Sequence, residues 1–236
     1  MQWPSNQAAL DLRTDPTLDP AVRAVLERQL DGIAATLARW GKFSRPVHLT
    51  TTDDRNNLSV DQSQPWHNSL RGVATLDSVV ILQPKLWVGV YAPNSLEELL
   101  LHELAHVLLF QRASADDAKT MPYFPTWFRE GMATLVAEGS PDARWRRELG
   151  AHPQLDLLAD ADEELVAQHG DAVYRHAAIL FALWMDLFGS SGLATLCRAM
   201  RKGHSFAAAH LKASGMGDWT FWAGQCAAMR AEANTQ

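Results

Sequence analysis

The sequence predicts an α+β protein, mostly helical, in which a small sheet precedes a buried helix and a helical lobe follows. Three observations predict it. Short β-branched runs fall between residues 47 and 82, each broken by turn residues. The run from Ser95 to about Gln111 is apolar around most of its circumference and opens on a helix-capping pattern. From residue 140 onward, helical segments follow one another between glycines, with no strand signal. At 236 residues and 47% hydrophobic, the chain can bury a full core without disulfides or a structural metal.

Taken in order, residues 1–18 are polar and punctuated by proline, and are expected to form a flexible arm. Asp19-Pro20 reads as an N-cap followed by proline at the first helical position. Val22, Val25, Leu26, Leu30, Ile33, Leu37 and Trp40 then keep helical spacing up to Gly41. Strands are expected at 47–52, 72–76 and 79–82, with a hairpin turn at Asp77-Ser78 and a long loop over 53–70. His48 and His67 in this region have no partner at ligand spacing and read as ordinary histidines.

Ser95 and Glu98 fit a capping box at the start of the buried helix. Residues 112–125 connect it to a second helix, Trp127 to Glu138, which Gly139 and Pro141 stop. Further helices are expected around 142–149, 161–169, 171–188, 191–202, 205–214 and 218–232. The domain reading is an arm over 1–18, a lobe with the sheet and the buried helix over 19–139, and a helical lobe over 140–236.

Composition narrows the partners. A net charge of −6 argues against a broad nucleic-acid or anionic-membrane surface. Cys197 and Cys226 are too few for a disulfide framework and read as buried thiols. The apolar stretch from Ala177 to Phe188 carries Asp186 and is too short to span a bilayer. No secretion signal is visible at the start, so a cytoplasmic protein is expected.

The chemistry concentrates in His102-Glu103-Leu104-Ala105-His106. On a helix the two histidines project from one face a turn apart and can share a Zn²⁺, with Glu103 beside them as a general base. Buried ionisable groups need partners, and one metal would satisfy several at once. A catalytic zinc needs a third protein ligand. Leu109 and Arg112 exclude the extended pattern with Gly and a third His at those positions. The nearest downstream carboxylates are Asp116, Asp117 and Glu130. The aspartates fall in a polar loop, a poor place to hold a ligand rigidly. Glu130 lies in the first turns of a helix, where Gly131 and Ala133 would allow a close approach to the His102 helix.

His102-Glu103-Leu104-Ala105-His106 followed by Trp127-Phe128-Arg129-Glu130-Gly131-Met132-Ala133 resembles the gluzincin zinc metallopeptidases, and among them the small bacterial peptidases of the thermolysin-like clan. The motifs cover about residues 72–138. The resemblance implies a zincin-like fold: a small mixed sheet with a substrate-binding edge strand, the metal helix, and a helical lobe completing the cleft. It implies one Zn²⁺ per chain held by His102, His106 and Glu130, with Glu103 moving the proton. It implies a peptide or protein substrate. Gly72 to Ala74 would be the edge strand that pairs with an extended peptide. Tyr174, followed by His176, matches best the oxyanion-stabilising donor that such enzymes take from the helical lobe. The thermolysin pattern has an aspartate four residues after the third ligand; here that position is Thr134, which carries no charge. Two other readings use the same residues: a non-catalytic zinc-binding chaperone or interaction protein, and a metallohydrolase of a non-peptide amide.

Overall fold

Backbone pairing into one sheet, rather than sequence propensity alone, marks out the strands. The computed structural model describes residues 2–4, 10–58, 71–87, 95–141 and 171–233. The strands are β1 (Gln2–Pro4), β2 (Asp11–Thr14), β3 (Val47–Thr52), β4 (Gly72–Ala74) and β5 (Ser78–Leu82). The helices are α1 (Pro20–Ala38), α2 (Leu96–Ala113), α3 (Thr126–Glu138), α4 (Asp171–Arg201), α5 (Phe206–Ser214) and α6 (Asp218–Ala233). The fold is α+β with a small mixed sheet and mostly helix, as the sequence predicts. The chain divides into two units: Met1–Arg112 with Asp116–Met121, and Ala113–Ala115 with Pro122–Gln236.

In the first unit the strands form one sheet in the order β1-β2-β3-β5-β4. β1 with β2 and β4 with β5 run antiparallel; β2 with β3 and β3 with β5 run parallel. Parallel neighbours need a crossover, and α1 supplies it between β2 and β3. On β3, Val47 and Leu49 are buried while His48 is exposed. Val79 and Ile81 are buried on β5.

The Asp19 side chain accepts from the Ala21 N–H at 2.8 Å, and the Asp19 N–H donates to Thr51 Oγ1 at 2.9 Å. The cap thus also fixes the start of α1 to β3. Val22, Leu26, Leu30, Ile33 and Leu37 form the buried stripe of α1, each contributing about 1.5–3 kcal/mol when fully buried.

The N-terminal residues differ from the expected arm. Residues 2–4 and 11–14 are strands of the sheet, because β3 offers β2 a parallel ladder, Leu12 opposite Val47 and Thr14 opposite Leu49. Residues 59–70 of the expected loop, including His67, and the helices expected at 142–149 and 161–169 lie outside the described residues.

The β4–β5 turn closes through the Thr75 N–H to the Ser78 carbonyl at 2.8 Å, with the two hydroxyls 2.7 Å apart. Ser78 is thus already in β5, and Leu76-Asp77 make the turn.

The capping box forms as predicted. The Ser95 N–H donates to Glu98 Oε2 at 2.9 Å, and the Glu98 N–H donates to Ser95 Oγ at 3.1 Å. At the other end, buried Gln111 ties α2 to the sheet. Its Oε1 accepts from the Ser44 and Arg45 N–H groups at 2.8 and 3.1 Å, and its Nε2 donates to the Leu76 carbonyl at 2.8 Å.

In the second unit α3 packs mainly on α4, and α4 on α5. Gly139 ends α3 at φ 85°, and Gly189 (φ 62°, ψ −170°) breaks α4 between the two segments expected there. Residues 172–201 are long and apolar enough to cross a membrane by length and composition. That apolar content has another use: Val173, Ala177, Leu180, Phe181 and Trp184 are fully buried inside the unit. Cys197 is buried as a thiol, as predicted.

The aromatic core joins four helices. His210 of α5 sits among the rings of Trp127, Trp184, Phe206 and Phe221, with centroids 5.8–6.2 Å away.

Candidate metal centre

Four residues separate His102 from His106 on α2, and the helix delivers the expected juxtaposition. Their Nε2 atoms lie 3.1 Å apart, with ring centroids 4.8 Å apart and planes at 85°. Two nitrogens each about 2.0–2.1 Å from one tetrahedral zinc would be about 3.3 Å apart. The pair therefore fits chelation of a single ion; without one, the same distance is a hydrogen bond in which one imidazole donates. His106 is buried, and its ring stacks on Phe110 at 5.9 Å. This stacking limits rotation about its side-chain bonds.

Glu103, between the two histidines in sequence, is 7% exposed. It lies against β4. A Cβ placed on Gly72 would be 2.8 Å from Glu103 Oε1 and 2.9 Å from its Cγ. The glycine is what lets backbone and carboxylate approach this closely. Gly72 and Ala74 belong to the strand at the end of the sheet, with β5 as its one strand neighbour among the described residues.

Glu130 is on α3, in the second unit, mostly buried, and its Oε1 accepts from Arg129 Nε at 3.0 Å. As a donor set, His102, His106 and Glu130 offer two imidazole nitrogens and a carboxylate oxygen, and could hold a metal ion. Gly131 differs from its expected role. Its close neighbour is the Ala177 carbonyl of α4, which leaves no room for a Cβ on Gly131. The glycine therefore sets the α3–α4 crossing. That crossing lies one residue from Glu130 on one helix and one residue from His176 on the other. Tyr174 and His176 are both on α4; Tyr174 is half-buried and His176 buried. Thr134 is buried, and its hydroxyl has no hydrogen-bond partner among the described residues.

Two features were not visible in the motifs. The Arg129–Glu130 pair joins neighbours that do not normally share a helix face. The other is the tautomer of His210, which its contacts fix. Nδ1–H donates to the Met216 carbonyl at 3.0 Å, and Nε2 accepts from the Trp184 indole N–H at 2.9 Å. Burial holds this imidazole below the usual histidine pKa, and it is neutral.

No family model matches the chain, and no curated protein matches it in sequence.

Proposed function

We propose that this chain is a zinc-dependent peptidase. His102, His106 and Glu130 hold one Zn²⁺, and Glu103 is the general base. The observation that carries the reading is the 3.1 Å separation of the two Nε2 atoms on a helix that also places buried Glu103 against β4. The bound metal supplies a Lewis acid that makes a water acidic near neutral pH and polarises a carbonyl. Glu103 takes the proton from the attacking water and delivers it to the leaving amine. A carboxylate is basic enough for this because the water it serves is already acidified.

β4 at the end of the sheet offers a backbone ladder to an extended peptide beside that carboxylate. Strand pairing on β4 favours a polypeptide over a small non-peptide amide, since a small amide has no ladder to match. Tyr174 is the proposed donor to the developing oxyanion, with His176, two residues on along α4, as the second candidate.

Zinc per chain, measured by elemental analysis on wild type and on His106→Ala, Glu130→Ala and Glu103→Gln variants, tests the reading together with casein hydrolysis. The expected result is about one zinc in wild type and in Glu103→Gln, and loss in the other two. Hydrolysis should be present in wild type and absent in Glu103→Gln. Zinc retained by Glu130→Ala would move the third ligand to Asp116 or Asp117. Zinc without hydrolysis would make the protein a non-catalytic zinc binder, and absence of zinc would overturn the proposal.

A further inference from the structure

Arg129 and Glu130 are consecutive on α3, so their side chains leave the helix about 100° apart. Neighbours at this spacing rarely meet. Here they do: the Arg129 side chain folds round until Nε donates to Glu130 Oε1 at 3.0 Å. Arg129 remains 41% exposed while Glu130 is 13% exposed. The long side chain thus gives up rotamer freedom to hold a carboxylate that is itself largely withdrawn from water. With the Arg129 end of the pair open to water, the bond adds little to stability, and its consequence lies in the orientation of Glu130.

We propose that Arg129 is a positioning residue for Glu130, fixing the carboxylate in the orientation in which it binds the metal; this rests on the assignment of Glu130 as the third ligand. An ionised carboxylate has about four lone-pair sites, so a hydrogen bond from Arg129 and a bond to a metal are compatible. Metal-ligating carboxylates are typically held by such an outer hydrogen bond, whose loss lowers metal affinity about 10–100-fold. The thermolysin-like pattern would put a charged orienting group at position 134, where this chain has a threonine. Arg129 brings a charged donor to the same helix, directed at the carboxylate ligand.

The bond is made by Nε, which is the atom attached to Cδ. Glutamine carries its amide nitrogen on Cδ as well, so Arg129→Gln keeps a donor at the same number of bonds and removes the charge. Arg129→Ala removes both. Alanine is the better helix former, and position 129 is part-exposed, so neither change should unfold α3; melting of the metal-free variants checks this.

The experiment is zinc affinity of the full chain by competition with a chromophoric chelator. The set is wild type, Arg129→Ala, Arg129→Gln, Glu130→Gln and the Arg129→Ala/Glu130→Gln double variant. Arg129→Ala should weaken binding at least fivefold, and Arg129→Gln should stay within twofold of wild type. In the Glu130→Gln background, Arg129→Ala should add nothing. Arg129→Ala binding zinc less than fivefold weaker than wild type would overturn the positioning role and leave the metal site standing. Equal losses in the alanine and glutamine variants would overturn the donor assignment. A wild-type chain that binds no zinc would fail the underlying site instead.

Discussion

Gly72→Ala isolates the contact between the end strand and the proposed base. The added methyl would lie 2.8 Å from Glu103 Oε1, 2.9 Å from Cγ and 3.0 Å from Cδ, where ordinary contact begins at 3.4 Å. The carboxylate must therefore retreat by about 0.6 Å or more, or β4 must lift by the same amount. The closest atom, Oε1, is the far end of a flexible side chain, so the cost in stability falls at the lower end of overpacking effects, about 1 kcal/mol. Its effect on chemistry is larger, since misplacing a reacting group by about 1 Å can lower the rate about 10²-fold. The assay pairs thermal unfolding and zinc content with kcat and KM on casein. The expected pattern is near-normal melting, near-normal zinc, and kcat down about 10- to 100-fold. Full activity in Gly72→Ala, alongside an inactive Glu103→Gln, would refute the idea that β4 fixes the base.

Two further outcomes concern stability. His210 is held neutral by burial, the larger cause, against smaller opposing contributions from the Met216 carbonyl and the Asp218 charge. Its folded pKa lies below the unfolded value of about 6.5. The unfolded chain therefore takes up the proton first as pH falls, and stability is lost from about pH 6.5 downward, by at most about 1.4 kcal/mol per pH unit. Urea unfolding from pH 7.5 to 5 should show this slope and lose part of it in His210→Gln; an unchanged slope would refute the assignment. Gln111→Ala takes the side-chain partner from two N–H donors, of Ser44 and Arg45, and from two carbonyls, of Arg45 and Leu76. The expected cost is about 3 kcal/mol by chemical denaturation, and a cost under about 1 kcal/mol would show that water replaces the amide.

What the sequence reveals depends on how local the cause is. The capping box of Ser95 and Glu98 and the meeting of His102 with His106 follow from helical spacing within one or two turns, and both are present. β3 and β5 are legible because each is a short β-branched run bounded by turn residues. β1 and β2 are not, since Pro4 and Asp11 are poor strand formers; β2 pairs with β3, far along the chain, and β1 pairs in turn with β2. Gly72 can be read as a strand residue, but the reason it is glycine appears only with Glu103 in place. The cage around His210 draws on four helices, and no spacing rule joins Trp127, Trp184, Phe206 and Phe221. Arg129 is obscured for the opposite reason: it is so close to Glu130 in sequence that helical geometry argues against their contact.

The two strands before α1 also bear on how the chain tolerates shortening. A chain begun at Asp19 would keep the motif and lose Leu10, Leu12 and Leu18, all buried. It would also uncover the side of β3 that Leu12, Arg13 and Thr14 now pair with. A bare strand with an apolar face recruits another copy of itself. The price of trimming a segment that reads as a loose arm would therefore be self-association, with the histidines and Glu103 still intact in sequence.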